Sequence, residues 1–278
     1  MGGALLLGPV HVLRPPRAAA LLRDDDHDRR RRHPPSAPCP GPDPPRPMSS
    51  APRGGRTGRR RNPAGKGIQA MKLTTVTNVS VDGVIQGLGG SAEDRRGGFE
   101  RGGWALPLFG GEAEDFLGRV YQRADAFLFG RRTYEIFAGS WGRMADPGGS
   151  PIGDALNKRP KYVASTTLTD PQWAGTTVLS GDLASAVGAL KAEPAGELQV
   201  HGSGALVRRL LEDRLVDEIT LFTYPVIVGQ GTRLFPHAGP DAALDLVDSR
   251  AFAGGITMQV YRPAGRPQYA ASTPIPGT

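Results

Sequence analysis

The chain has 278 residues, which is enough for one large domain or two small ones. Its formal net charge of +7 comes from residues 1–70, which hold 14 of the 34 Lys and Arg but 5 of the 27 Asp and Glu, whereas residues 71–278 hold 20 basic and 22 acidic side chains. The basic charge is therefore no argument for a DNA-binding domain. The one cysteine, Cys39, excludes an intramolecular disulfide and a cysteine metal cluster, and this favours a reducing, cytoplasmic compartment.

Residues 1–70 are predicted to form a disordered leader. They hold 13 of the 26 prolines together with runs of Arg and Gly, and such a segment cannot bury enough apolar surface to fold. The leader is either an extension upstream of a true start at Met71 or a tail that binds nucleic acid, and we favour the extension. Its apolar stretches are too short to span a bilayer, so no membrane partner is expected. The folded domain is predicted at 71–264, followed by a disordered tail at 265–278.

Beyond Met71, strand and helix patterns alternate along the chain. This alternation indicates an α/β fold with a largely parallel sheet, and two late strands without a helix between them indicate an antiparallel edge. Strands are predicted at 73–79 with a continuation at 84–85, and at 126–129, 162–164, 176–179, 198–200, 219–223, 226–228, 244–247 and 256–261. Helices are predicted at 112–123, 131–138, 183–190 and 203–211.

A long Gly-rich loop at 86–110 separates the first strand from the first helix, and it carries Phe99, Trp104 and Phe109. A loop of this length inside a compact domain is usually functional. Trp104 is either a wall of a binding pocket or an anchor buried in the core.

The first motif that could carry chemistry is Phe-Leu-Phe-Gly-Arg-Arg-Thr-Tyr-Glu at 127–135. A buried strand ends at Gly130 and a helix begins, and a helix start offers free N–H groups and the positive end of its dipole to a phosphate. Arg131, Arg132 and Thr133 add further donors, which suit a phosphate monoester such as the 2′-phosphate of NADPH. The alternative is an ordinary strand-to-helix turn with solvated arginines.

The second motif is Leu-Gln-Val-His-Gly-Ser-Gly-Ala-Leu at 198–206. Gly202 and Gly204 allow the backbone to approach a pyrophosphate, and the helix that follows supplies the field. The motif departs from the full dinucleotide fingerprint because Val207 stands at the third glycine position. His201 is interpreted as a buried residue at the end of a strand rather than as a catalyst.

Two weaker candidates are the Asp82-Gly83 turn and the acidic pair Glu114 and Asp115. Asp-Gly is a common turn pair. Acidic residues in a first helical turn ordinarily complement the helix dipole, and the alternative is a carboxylate that faces a cleft and binds a protonated heterocycle. The sequence contains no Walker loop, no zinc spacing and no Gly-x-Ser-x-Gly elbow, so no metal ligand set is expected.

In their order over residues 71–262, these motifs resemble the dihydrofolate reductase family. The resemblance is closest to bacterial proteins similar to the reductase domain of the riboflavin-biosynthesis deaminase–reductase. It implies a single central, mostly parallel mixed sheet of about eight strands, with helices on both faces and an antiparallel C-terminal edge. The segments that carry it are 79–85, 98–100, 103–104, 130–135, 161–166, 200–204, 217–218 and 225–231.

The resemblance also implies NADPH as the cofactor. Thr166 stands where many relatives carry Arg, so a preference for NADPH over NADH depends here on Arg131 and Arg132. The residues implied in cofactor binding are Val84 and Ile85 at the nicotinamide carboxamide, Gly130, Arg131, Arg132 and Thr133 at the 2′-phosphate and pyrophosphate, Ser165 and Thr166 beside the adenosine, and Gly202, Ser203, Gly204, Ala205 and Leu206 at a second phosphate-binding turn.

The activity that the resemblance implies is hydride transfer from NADPH to a small pterin- or aminopyrimidine-like heterocycle. Glu114 lies 16 residues before Gly130, close to where folate reductases keep the carboxylate that binds the pterin, and Asp115 is the alternative. The first loop is longer than in folate reductases, so dihydrofolate itself is not the expected substrate. The residues implied on the substrate side are Asn78, Asp82, Trp104 and Thr223.

Two other functions stay open at this point. One is a module that keeps the fold and binds NADPH without catalysis, and the other is an RNA-associated protein that works through the Arg-rich leader. We favour the enzyme over both, and a nucleic-acid partner is not expected. Relatives of this type are commonly homodimers, so a homodimer is expected.

Overall fold

The computed structural model describes residues 70–144, 146–194, 196–239 and 241–270. These residues all belong to the second of the two units into which the chain divides, Asn62–Thr278. The predicted leader, apart from Ala70, and the last part of the predicted tail, residues 271–278, lie outside the described residues. Within the described part of the tail, the Tyr269 hydroxyl donates a hydrogen bond of 3.1 Å to Asp241.

An eight-stranded mixed sheet forms the centre of this unit. In chain order its strands are β1 (Lys72–Ser80), β2 (Ala126–Gly130), β3 (Lys161–Ala164), β4 (Thr176–Leu179), β5 (Glu197–His201), β6 (Glu218–Tyr224), β7 (Leu244–Ala251) and β8 (Thr257–Pro263). The strand order across the sheet is β4-β3-β2-β5-β1-β6-β8-β7. Strands β1 to β6 are parallel to one another, β8 pairs antiparallel with β6, and β7 pairs antiparallel with β8. The predicted α/β class with an antiparallel C-terminal edge is confirmed.

Within the described residues, five α-helices cover the two faces of the sheet. They are α1 (Gly111–Gln122), α2 (Arg131–Ser140), α3 (Pro151–Lys158), α4 (Leu183–Ala192) and α5 (Gly204–Glu212). Helices α1, α2 and α3 contribute to the core on one face, and α4 and α5 contribute to the core on the other. Helices lie on both faces, as expected.

The alternation of side chains along β2 shows how the two cores are divided. Phe127 and Phe129 pack with Leu117 of α1 on one face, whereas Leu128 packs with Leu210 of α5 on the other. All three β2 side chains are fully buried, because successive residues of a strand point to opposite faces and both faces are covered by helices.

Three predicted details were wrong. Residues 84–85 do not continue β1, because Ser80 to Val84 form a turn in which the Val84 N–H donates to the Ser80 hydroxyl. Residues 226–228 form a loop rather than a strand, since the Val228 N–H bonds to Asp82 instead of to a neighbouring strand. Helix α3 was not predicted at all, although Ser150 caps it and Pro151 occupies its first turn, because its eight residues lie among Gly and Pro.

The parallel register places six loops at one edge of the sheet. Strands β1 to β6 all run in the same direction, so their carboxyl ends meet there. The loops that follow them begin near 81, 131, 165, 180, 202 and 225. In open α/β sheets this carboxyl edge is where ligands bind.

We expect Phe127→Ala to lower the free energy of unfolding by about 3–5 kcal/mol, because it leaves a cavity in the centre of the core. Chemical denaturation would measure the loss. Leu246→Ala is the matched control, since Leu246 is 58% exposed on β7 and its truncation should change stability by less than about 0.5 kcal/mol. Equal effects of the two substitutions would contradict the assignment of the core.

Candidate functional site

Two strand-to-helix turns at the carboxyl edge are hydrogen-bonded to each other. The Gly130 N–H donates to the Ser203 hydroxyl at 3.0 Å, and the Ser203 N–H donates to the Thr133 hydroxyl at 3.2 Å. The β2–α2 turn and the β5–α5 turn, which lie 70 residues apart in the sequence, therefore form one structural unit. The structure brings together the two motifs that the sequence predicted to bind phosphate.

The first turns of α2 and α5 lack side-chain caps. Gly130 precedes α2 and has no side chain, and the Ser203 side chain makes no capping bond to α5. Because the Ser203 hydroxyl accepts from Gly130 instead, it does not bond the N–H groups of Gly204 to Leu206. Two adjacent helix N-termini thus present N–H groups and positive dipole ends, an arrangement that suits an anion.

The glycines of the β5–α5 turn meet a steric requirement. Gly202 has φ +55°, a conformation that side chains rarely adopt. A Cβ on Gly204 would lie 2.6 Å from Cδ1 of Ile85, so a larger residue would require that side chain to move. Ala205 is exposed and Leu206 is buried in the core, so these two can offer backbone N–H groups rather than side-chain contacts.

A cleft of about 350 Å³ opens beside this unit. It brings together Arg131, Ser165 and Thr166, three residues that the sequence assigned to one ligand. The Arg131 guanidinium is about half exposed, donates to Glu135 at 2.7 Å and also contacts the Thr167 hydroxyl. The remaining lining residues are Ala164, Thr167, Leu179, Gly181 and Leu183.

Arg132 points away from that cleft and towards the long loop. Its guanidinium donates to the Glu93 carbonyl at 3.4 Å and lies 3.8 Å from the carboxylates of both Asp94 and Glu135. Asp94 is buried and also forms a two-pronged ion pair with Arg96. Arg132 therefore fastens the loop to α2, and the two neighbouring arginines have different surroundings.

Gln86 anchors the long loop, and sequence reasoning missed it. Its amide NH₂ donates to the carbonyls of Asp94 and Arg96, and its oxygen accepts from the backbone N–H and the hydroxyl of Thr232. Its own carbonyl accepts from the Trp104 indole at 2.9 Å. A lone Gln at the start of a Gly-rich loop gives no sequence signal, because its partners lie 8 to 146 residues away.

Trp104 anchors the long loop. Its ring meets the ring of Tyr224 edge-on, with centroids 5.6 Å apart and planes at 89°. The Tyr224 hydroxyl reaches Asn78 on the neighbouring strand β1. Asn78 is only partly buried, so this cluster borders open space at the carboxyl edge.

Thr223 lies on the opposite face of the sheet from this cluster. Asn78 pairs with Phe222 across β1 and β6, so Asn78, Phe222 and Tyr224 share one face and Thr223 takes the other. The Thr223 hydroxyl contacts Gln259 on β8. The structure therefore does not bring Thr223 together with the other residues predicted on the substrate side.

Glu114 and Asp115 lie on different sides of helix α1. Glu114 precedes Leu117 and Tyr121 by three and seven residues, and those two side chains are buried towards the sheet, so Glu114 stands on their side of α1 at its N-terminal turn. Asp115 instead lines a groove of about 480 Å³ between α1 and α3, together with Gln122 and Asp154. Both carboxylates are exposed.

Asp82 is a latch between two loops. Its carboxylate accepts from the Ser80 hydroxyl at 2.7 Å and from the N–H groups of Val228 and Gly229 at 2.9 and 2.8 Å, and it lies 3.5 Å from the Arg233 guanidinium. Burial raises the pKa of Asp82, but the hydrogen bonds together outweigh it and lower the pKa to about 2. Its lone pairs are directed at the protein's own backbone.

Val84 and Ile85 have both of their N–H groups bonded within the protein, to the Ser80 hydroxyl and the Thr232 carbonyl. The Val84 carbonyl in turn accepts from the Ser80 N–H at 3.0 Å. Val84 is fully buried and forms an isolated bridge with Arg233, so this segment is held firmly in place.

His201 is a core residue. Its ring stacks on Tyr121 with centroids 3.9 Å apart, and Nε2 lies 2.9 Å from the Gln199 side-chain oxygen. Burial lowers the pKa of His201 to about 3, so the imidazole is neutral at physiological pH. Across the described ranges, no group of three or more His, Cys, Asp or Glu side chains is placed to hold a metal ion, and no helix is long and apolar enough to cross a membrane.

Comparison with known proteins identifies the family. Residues 71–258 match the family model of the RibD C-terminal domain. The chain belongs to this family. The RibD C-terminal family and the observed strand order together confirm the dihydrofolate reductase-like fold that the sequence motifs predicted.

Individual members and neighbours are distant in sequence. The uncharacterized protein YyaP of Bacillus subtilis (strain 168) is 26% identical over 192 residues, which cover 66% of this chain and 90% of YyaP. The crystal structure of a candidate riboflavin biosynthesis protein from Shewanella sp. PV-4 has a TM-score of 0.54 and 21% identity, covering 69% of this chain and 99% of that one. Dihydrofolate reductase from Enterococcus faecalis, complexed with NADP(H), has a TM-score of 0.47 and 12% identity over 69% and 96%.

We expect the carboxyl of Asp82 to titrate with a midpoint near 2 in carboxyl-detected NMR, against an ordinary value of 3.8. A lowered pKa means that the carboxylate stabilises the fold above pH 3.8 and that this contribution disappears as the pH falls towards 2. Asp82→Asn should therefore lower the free energy of unfolding at pH 7 by about 2 kcal/mol. Asp170→Asn, an exposed control, should leave it unchanged, and a midpoint near 3.8 for Asp82 would contradict the latch.

Proposed function

We propose that the chain is an NADPH-dependent reductase that transfers hydride to a small pterin- or aminopyrimidine-like heterocycle at the carboxyl edge of the sheet. One observation carries the proposal: the uncapped N-termini of α2 and α5 are joined through Ser203, next to the cleft that contains Arg131. Membership of the RibD C-terminal family, a family of the riboflavin and folate reductase type, supports the same reaction class.

The residues present fit NADPH in size and charge. The N–H groups at the starts of α2 and α5 would hold the pyrophosphate. Arg131 would pair with the 2′-phosphate, and Ser165 and Thr166 would border the adenosine in the 350 Å³ cleft. Arg132 would contribute through the field of its charge, since its guanidinium is engaged with the long loop.

The bound cofactor would supply the hydride, and the protein would supply orientation and a proton. Trp104, fixed by Gln86 and Tyr224, would wall the substrate pocket and exclude water. Glu114, at the N-terminal turn of α1, would deliver or relay a proton to the substrate nitrogen. We prefer Glu114 to Asp115 because Asp115 lines the groove between α1 and α3.

A second candidate is a non-catalytic module that binds NADPH. The observation that favours it is the exposure of both Glu114 and Asp115, since a carboxylate that works as a general acid is ordinarily withdrawn from water. In that case NADPH would bind to the same residues, and it would not reduce any heterocyclic substrate.

We also propose that the protein is a homodimer located in the cytoplasm. The edge strand β7 supports the dimer, because all eight of its residues are exposed and one side of its backbone is not paired with a strand of the described residues. Such an edge is a template for pairing with another chain.

We expect Arg131→Ala to weaken NADPH binding by about 10–100-fold and to leave NADH binding within about twofold, because only NADPH carries the 2′-phosphate that the guanidinium would meet. Nicotinamide fluorescence titrations of the full chain would measure both affinities. Arg119→Ala is the matched control, since Arg119 lies on α1 in the groove with α3. Equal weakening of NADPH and NADH binding, or no effect on either, would contradict the assignment.

We expect Glu114→Gln to lower kcat for NADPH oxidation by about 100-fold with little change in NADPH affinity, because the amide cannot transfer a proton. Asp115→Asn is the matched control and should change kcat by less than about twofold. The assay is NADPH absorbance with pterin and aminopyrimidine substrates. The proton role would be excluded if both substitutions had the same effect, and a wild-type chain that binds NADPH but oxidises it with none of these substrates would favour the non-catalytic module.

A further inference from the structure

A buried tyrosine lies beneath the substrate side of the site, and its hydroxyl has no role in the proposed reaction, although its ring contacts Trp104. Tyr224 ends β6, and its hydroxyl donates to the Asn78 side-chain oxygen at 3.4 Å. Both residues lie on the face of the sheet that α1 covers, because Asn78 pairs with Phe222 in the parallel β1–β6 register.

Tyr224 is fixed in place and keeps its proton. Its side chain is 1% exposed, and the indole of Trp104 meets its ring edge-on. Burial raises the pKa of Tyr224 far above its ordinary value, so the phenol is a hydrogen-bond donor throughout the physiological range. The Tyr224 hydroxyl therefore fixes the orientation of the Asn78 amide by donating to its oxygen.

An amide that accepts at its oxygen presents its nitrogen elsewhere. The Asn78 NH₂ group carries two donors, and within the described residues it makes no side-chain hydrogen bond. Asn78 is partly exposed at the carboxyl edge, whereas Tyr224 is buried. A ligand can therefore contact the Asn78 NH₂ group but not the Tyr224 hydroxyl.

We propose that Asn78 is a specificity-determining residue that donates a hydrogen bond to a ring carbonyl of the substrate, and that Tyr224 is the positioning residue that orients its amide. This inference rests on the proposed function and narrows its substrate class. A heterocycle with an oxo group at the contacted position pairs with the NH₂ donors, whereas one with an amino group leaves two donors facing each other.

Two pyrimidines separate these possibilities, because one carries an oxo group and the other an amino group at position 4. They are 2-amino-4-oxopyrimidine and 2,4-diaminopyrimidine, titrated by calorimetry into the NADPH-saturated full chain at a pH where both rings are neutral. We expect the wild type to bind the oxo compound about tenfold more tightly. Asn78→Asp replaces the donors with an acceptor and should reverse the preference.

Tyr224→Phe tests the positioning role. It keeps the ring and removes the hydroxyl, so we expect the oxo preference to fall towards unity while the NADPH affinity stays within about twofold of the wild type. Tyr162→Phe is the matched control, since Tyr162 packs on the opposite face of the sheet, and it should keep the full preference. A merely structural role for Tyr224 would change the affinity for both pyrimidines equally and leave their ratio intact.

Three results would overturn the inference. They are a wild type without an oxo preference, an unchanged preference in Asn78→Asp, and the failure of both pyrimidines to bind the NADPH-loaded protein. In each case, retained NADPH binding that is sensitive to Arg131→Ala would leave the proposed cofactor site standing. Loss of NADPH binding to the wild type would instead overturn the proposed function itself.

Discussion

The hydrogen bond from the Gly130 N–H to the Ser203 hydroxyl is the contact on which the site depends. It joins the turn after β2 to the turn after β5, and it diverts Ser203 from the capping position that a serine before a helix usually fills. The N–H groups that begin α5 therefore receive no side-chain cap. Ser203 adopts φ +50°, which is uncommon for a residue other than glycine and is the conformational cost of this arrangement.

The two neighbouring arginines at the candidate site have different surroundings. Arg131 borders the open cleft, while Arg132 lies against the acidic groups of the long loop. Burial raises the pKa of Glu93 in that loop, which is consistent with a segment packed against the protein rather than spread into solvent. Gln86 and Asp82 hold the two loops that flank the carboxyl edge through hydrogen bonds within the protein.

Much of the fold could be predicted from the sequence because its signals are local. The buried run of β2 ends in Gly130, and the run of β5 ends in Gly202, so both strand-to-helix turns were found with their helices. Helix α3 was missed because a short helix among Gly and Pro has little periodicity. Residues 226–228 read as a strand by composition, but the N–H groups of Val228 and Gly229 donate to Asp82, and such a tertiary contact has no local signature.

The site residues that belong to a short sequence motif could be predicted, and those that come together only through the fold could not. The placement of Glu114 and Asp115 on different sides of α1 depends on which face the sheet covers, and adjacent residues in a sequence do not reveal it. Tyr224 follows the predicted strand at 219–223 and carries no sequence signal of its own, since only the β1–β6 register brings its hydroxyl to Asn78. Partners 146 residues apart cannot be paired without the fold.

A crystal structure of the full chain grown with NADPH tests the central claim most directly. We expect the pyrophosphate within hydrogen-bonding reach of the N–H groups that begin α2 and α5, and the 2′-phosphate beside Arg131. NADPH bound in the groove between α1 and α3, or with its pyrophosphate away from both turns, would contradict the proposed cofactor site.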